Sequence, residues 1–156
     1  MKRFLAMMLC AALSSMLAFG SEPGFAVKYD GGTLPNLKVG TGLRLQVDQD
    51  SIKIFAGKTL VQTIAPASIT EISYGQDVHR RVGAAVGLAI VSFGLGALMV
   101  LAKSKKHYVG LTWATADVRG GIAIQCDKND YRGLLAALEG VTGKKAVNSE
   151  TTTVKN

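Results

Sequence analysis

The chain is poor in the residues that usually carry chemistry. Its 156 residues include two cysteines, two histidines, one tryptophan and three prolines. Cys10 lies in the apolar N-terminal stretch, and the bulky Leu9 before it does not suit lipid modification. If that stretch is removed, Cys126 stands alone and no intramolecular disulfide can brace the fold. Cys126 shares a strand face with Ile122 and Ile124 and is expected to be a small buried apolar residue. There is no glycine-rich phosphate loop ending in Lys-Ser/Thr, no G-x-S-x-G, and no closely spaced cysteine pair. Glu71 and Asp117 have no partner carboxylate for acid–base work. The expectation is a non-enzyme with no cofactor, no metal and no identified small-molecule substrate. Arginine-rich runs interleaved with aromatics are missing too, so nucleic acid is not an expected partner.

What the chain does have is one long apolar run. Residues 82–102 read VGAAVGLAIVSFGLGALMVLA, twenty-one residues without a charge. His79, Arg80 and Arg81 precede them, and Lys103, Lys105 and Lys106 follow. The length suits a membrane crossing as one helix. Strand patterns lie on both sides, however, and a single crossing would separate strands that need to pair. Three readings stay open: a helical hairpin turning near Ser92, Phe93, Gly94, Leu95 and Gly96, a single transmembrane helix, and an element of a soluble body. The hairpin is preferred because it keeps the β-domain whole, although its turn must find hydrogen bonds inside lipid. Val82, Gly83, Gly87, Phe93, Gly94, Gly96 and Leu101 are then the membrane-insert residues. Arg80, Arg81, Lys103, Lys105 and Lys106 are expected at anionic headgroups. The spacing of Gly83 and Gly87 is a small-xxx-small pattern, which lets helices approach closely and allows homo-oligomerisation through the insert.

The N-terminus reads as a signal peptide over residues 1–20: Lys2 and Arg3, an apolar core, then Ala18 and Gly20 before Ser21. An uncleaved anchor helix is the alternative. Cleavage leaves 16 basic against 11 acidic residues, so the formal charge falls from +7 to +5. The expected destination is the cell envelope of a bacterium, membrane-associated, with the periplasmic side favoured. Two basic flanks on one side favour the cytoplasm instead. The signal peptide, with three independent features, is given more weight.

Residues 21–40 read as a loose lead-in with a strand near 25–29. Period-two alternation then begins. Leu43, Leu45 and Val47 oppose Arg44 and Gln46. Ile52 and Ile54 oppose Ser51 and Lys53. Residues 60–64 form a further strand ended by Pro66. Ile69 and Ile72 anchor another, and their spacing of three predicts a bulge or strand end. Beyond the run, Val109, Leu111 and Trp113 alternate with Tyr108, Gly110 and Thr112, which puts Trp113 in the core. A strand at 120–126 precedes Tyr131, Leu134, Leu135, Leu138 and Val141, the apolar stripe of an amphipathic helix. Asp127 to Asp130 offer N-cap side chains and Gly143 a left-handed C-cap. Residues 146–156 are polar and expected to be disordered.

Three stretches together resemble the bacterial relatives of the pleckstrin-homology (PH) and GRAM-like domains. They are the opening strands 42–47 and 51–55, the segment IAPASITEI at 64–72, and the last strand running into Leu134, Leu135 and Leu138 and then Thr142, Gly143, Lys144 and Lys145. They cover roughly residues 41–145 apart from the insert. The resemblance implies a mainly β fold, a seven-stranded antiparallel roll capped by a C-terminal helix, and binding or scaffolding near membranes. Phosphoinositide binding does not carry over, because the loop expected to be basic is Asp48-Gln49-Asp50. The functional expectation is a non-catalytic, membrane-associated binding or scaffold module with membrane lipids as partners. The alternative is a small self-associating membrane protein whose glycine-rich insert forms a structural or pore-like assembly. His79 and His107 flank the insert. The hairpin would bring them together near Asp77, which makes a metal or pH-sensing site a secondary alternative to two merely interfacial histidines.

Overall fold

In the computed structural model, which describes residues 24–87 and 106–151, alternating apolar positions turn inward along every long strand. The strands are β1 (Phe25–Gly32), β2 (Gly42–Val47), β3 (Ile52–Ala56), β4 (Thr59–Ile64), β5 (Ile69–Tyr74), β6 (His107–Ala114), β7 (Arg119–Cys126) and the short β8 (Val147–Asn148). Helix α1 (Val78–Val86) lies between β5 and β6, and helix α2 (Tyr131–Thr142) follows β7. The strands form one mixed sheet in the order β4-β3-β2-β1-β7-β6-β5-β8. Every pairing is antiparallel except that of β5 with β8. The architecture is thus mainly β with a C-terminal helix, as expected.

The inner face carries Val27 and Tyr29 from β1, Leu43 and Leu45 from β2, and Ile52 and Ile54 from β3. It continues with Ile69 and Ile72 from β5, Val109 and Leu111 from β6, and Ile122 and Ile124 from β7. Full burial of one such aliphatic side chain contributes roughly 1.5–3 kcal/mol. Trp113, 7% exposed, and Cys126, 3% exposed, belong to this core as expected. The expected irregularity in β5 is a register shift between Ile69 and Glu71. Leu134 and Leu138 seat α2 on the core, with Tyr131, Leu135 and Val141 packed around them. Gly143, at φ 68°, ends α2 in the left-handed conformation. At the other end Asp130 makes no side-chain cap bond.

Three expectations change. The stretch 21–40 holds β1, which extends to Gly32 and is central in the sheet between β2 and β7. The C-terminal segment is ordered further than its polarity predicts. Val147 and Asn148 pair with Ser73 and Tyr74 of β5, and the Ser149 N–H donates to the Tyr74 carbonyl at 2.7 Å. Backbone and side-chain hydrogen bonds hold this segment, with Ala146 packed against the core. Most important, β5 pairs directly with β6 across the apolar run, from Ile69 opposite Trp113 to Tyr74 opposite Val109. A single membrane crossing between these strands would place them on opposite sides of a bilayer, so that reading falls. Among the described residues no helix is long and apolar enough to cross a membrane. The signal-peptide reading of 1–20 and the insert residues Phe93, Gly94, Gly96 and Leu101 lie outside the described residues, as do Lys103 and Lys105.

Candidate functional site: the outer face under α1

The outward positions of β5, β6 and β7 are nearly free of bulk. Ser73, Gly110, Thr112, Gly121 and Ala123 make a shallow trough, and α1 lies in it. Val78 and Val82, four residues apart on one helical face, are fully buried there with Tyr108 and Ala123. The fit depends on the two glycines. A Cβ added at Gly110 would come 2.6 Å from Val78 Cγ1 and 2.9 Å from Val82 Cγ2. A Cβ at Gly121 would come 2.8 Å from Val82 Cγ1 and 3.1 Å from Val86 Cγ1.

Polar contacts fix the helix along its length. His79 Nε2 lies 2.7 Å from Asp30 Oδ2 on β1, and the His79 ring meets Tyr108 edge-on with centroids 5.4 Å apart. Arg81 donates from Nε and Nη2 to the two carboxylate oxygens of Glu71, at 2.9 and 3.0 Å. That fork raises the Arg81 pKa further. Burial raises the Tyr108 hydroxyl, with the charge of Asp30 adding to it. Asp77 stands at the N-cap without a side-chain cap bond. The C-terminal segment supplies the missing acceptors: Ser149 Oγ for the Asp77 N–H at 3.2 Å, and Glu150 Oε1 for the Gln76 N–H at 3.3 Å.

These contacts define the direction of α1. Gln76, just before it, donates from Nε2 to the Lys106 carbonyl at 2.8 Å, at the start of β6. Ala85, near its other end, lines an open cavity of about 340 Å³ with Thr70, Glu71, Thr112 and Arg119, beside the β6–β7 turn. Gly87 (φ 70°) ends the helix there. The chain therefore leaves the described body past the C-terminal end of α1 and is next described at Lys106, beside the start of that helix, a separation of about 14 Å for nine helical residues.

The expected site residues separate into groups. Val82 is buried against the sheet with Val78, Tyr108 and Ala123, so it packs on protein. Gly83 is also buried on α1. Gly87 is the C-cap of α1. Arg81 is held in the Glu71 fork, so it is not the free headgroup ligand expected, whereas Arg80 is exposed. Lys106 is half-buried at the point of return. His79 and His107 do not meet. His107 stacks on Tyr131 of α2, centroids 4.7 Å apart, while Tyr108, the next residue, contacts His79. Successive strand residues point to opposite faces, so the two histidines lie on opposite sides of β6. Among the described residues no group of three or more His, Cys, Asp or Glu side chains could hold a metal. Cys126 is buried, and burial with Asp127 and Asp130 nearby pushes its thiol up to about 12, which leaves no thiolate for nucleophilic attack at neutral pH. The residues that sequence reasoning missed are Gly110, Gly121 and Ser149. The first two had a signal, glycine at outward strand positions; Ser149 had none.

The sequence matches no protein-family model and none of the curated proteins with which it was compared.

Proposed function

We propose that this chain is a non-catalytic, membrane-associated binding or scaffold module of the cell envelope, built on a PH-like roll. Seven strands in an antiparallel run from β4 to β5, followed by a helix seated on the core, support the family resemblance. The observation that carries the membrane reading is the return of the chain to its own sheet. An apolar run leaves from the C-terminal end of α1 and comes back at Lys106, with Arg80 before it and Lys103, Lys105 and Lys106 after it. Basic residues at both ends of an apolar segment hold anionic headgroups. A run tethered at both ends to one folded body fits a hairpin into one leaflet. The leader at 1–20 supports export.

The test is sidedness. In a Cys126→Ser background, a single cysteine replaces Lys58, in the turn after β3, or Asp117, in the turn after β6. Both positions are exposed. Intact cells are treated with a membrane-impermeant maleimide, and the membrane fraction is isolated. Both positions are expected to label, and the protein to pellet with membranes. Labelling of only one position would overturn the hairpin, labelling of neither would overturn export, and recovery in the soluble fraction would overturn membrane association.

A further inference from the structure

Helix α1 has nine residues and no side-chain cap of its own. A helix this short is marginal alone in water, so α1 depends on what it touches. The C-terminal strap, residues 147–151, touches it where it begins. Ser149 Oγ accepts the Asp77 N–H at 3.2 Å, and Glu150 Oε1 accepts the Gln76 N–H at 3.3 Å. The Gln76 side chain in turn bonds the Lys106 carbonyl, so the strap, the start of α1 and the start of β6 meet at one point. The strap itself is lightly held. It follows Gly143, Lys144 and Lys145, all exposed, and pairs with β5 through Val147 and Asn148 alone. Its anchor on α2 is Glu139 Oε1, which accepts the Ala146 N–H at 2.7 Å. A segment bound chiefly by hydrogen bonds, with few buried apolar contacts, opens at the low end of a protein's local free energies.

Docking of α1 also competes with the apolar run. Residues 82–86 belong both to the uncharged sequence 82–102 and to the helix, where Val82 is buried over Gly110 and Gly121. With α1 in the trough, the uncharged sequence not engaged by the sheet begins after Gly87. With α1 out of the trough, it begins at Val82.

We propose that the strap is a latch on α1: engaged, it holds the helix in the trough, and released, it lets the helix leave and return residues 82–86 to the apolar run. The latch is independent of where that run goes. Release leaves the sheet intact, because β5, β6 and β7 pair with one another without α1. The partners it separates return to water, Arg81 and Glu71 being already 23% and 33% exposed. A binder that takes residues 147–151 for itself shifts the balance by its affinity for the free strap.

The test is hydrogen exchange followed by NMR on the full chain. A latch requires that α1 open only with the strap, so in the wild type the amides of Val82 to Val86 are expected to exchange no faster than that of Ser149. Ser149→Pro removes both the N–H that donates to Tyr74 and the hydroxyl that accepts from Asp77. It is expected to speed exchange in the last turn of α1 about 30-fold, the effect of two hydrogen bonds. Glu139→Ala acts from α2, by freeing the Ala146 N–H. It is expected to speed the amides of Ser149 and of Val82 to Val86 by a common factor of about 5, the effect of one hydrogen bond. The amides of β2 and β7 are expected to keep wild-type protection in both variants. Three results each overturn the latch: faster exchange in Val82 to Val86 than at Ser149 in the wild type, an unchanged last turn of α1 in Ser149→Pro, and a strap loosened without α1 in Glu139→Ala. An equal loss of protection in β2 and β7 overturns it too, since strap and sheet would then open as one unit.

Discussion

Arg81 and Glu71 meet fork to fork, Nε and Nη2 of the guanidinium each donating to a separate carboxylate oxygen, at 2.9 and 3.0 Å. The side chains are 23% and 33% exposed, so water screens the pair only in part. One partner stands on α1 and the other on β5. The bond therefore fastens the helix that opens the apolar run to the strand that precedes it, and fixes the rotation of α1 as well as its position.

Arg81→Met is expected to lower stability by about 1 kcal/mol, since it strips a half-buried carboxylate of its two charge-assisted bonds. Arg81→Met/Glu71→Gln is expected to lose less than the sum of the single changes. Urea denaturation of the four proteins in the cycle measures the coupling. Strict additivity would show that the fork contributes nothing.

The trough under α1 makes a second prediction. Gly121→Ala brings a methyl within 2.8 Å of Val82 Cγ1. Overpacking of this kind costs about 1–3 kcal/mol. Val82→Ala alone leaves a cavity and costs roughly as much as other large-to-small core changes, about 1–3 kcal/mol. Together the two changes are expected to compensate in part, because the cavity receives the methyl. Urea midpoints for the two single variants and the double variant decide the matter. A double variant at least as unstable as the sum would mean that α1 does not sit on Gly121 as described.

The same trough shows where sequence pattern ends. The inner face was legible because Leu43, Leu45, Ile52, Ile54, Val109, Leu111, Ile122 and Ile124 alternate with polar or small residues, and burial of one face is what alternation encodes. The outer face of β6 and β7 carries Tyr108, Gly110, Thr112, Gly121 and Ala123, which by hydropathy resembles a wet face. Its burial is encoded by missing bulk, and missing bulk has no period. Helix α1 was hidden for another reason. Val78, Val82 and Val86 form a four-residue stripe, but the last two merge with the uncharged run that begins at Val82, so an amphipathic helix reads as the start of a lipid-facing one. The strap at 147–151 binds through backbone groups and short side chains, which carry almost no hydropathy signal.

Titration of Cys126 supplies a prediction in alkali. Its thiol rises from an ordinary value near 9 to about 12 in the folded protein, chiefly by burial. The folded state holds that proton more tightly than the unfolded chain, so the contribution is complete below pH 9 and lost as pH climbs toward 12. Tyr29, Tyr108 and Tyr131, also raised by burial, act in the same direction. Stability is expected to fall steadily from pH 9 upward, and Cys126→Ala to fall less steeply. Urea midpoints measured across that range give both slopes. Parallel slopes would mean that the thiol is not buried in the native state.

The Ser149 hydroxyl accepts the Asp77 N–H at 3.2 Å from a position 72 residues further along the chain. It serves α1 as a cap that the helix does not carry itself. Gly75 makes room for it: φ is +118°, and a Cβ there would lie 2.5 Å from Ser149 Oγ. Ser149→Ala removes the acceptor but leaves the β8 pairing, and loss of such a cap costs roughly 0.5–2 kcal/mol. The loss is expected to be local. Amide exchange should accelerate at Asp77 and through the first turn of α1, while Val109 and Leu111 in β6 keep their protection, because the sheet does not depend on the cap. Gly75→Ala is expected to do more, straining its own backbone and pushing the strap away, so that protection falls at Ser149 as well. Hydrogen exchange followed by NMR separates these patterns. Unchanged exchange at Asp77 in Ser149→Ala would mean that α1 is capped by water, with the strap merely lying alongside.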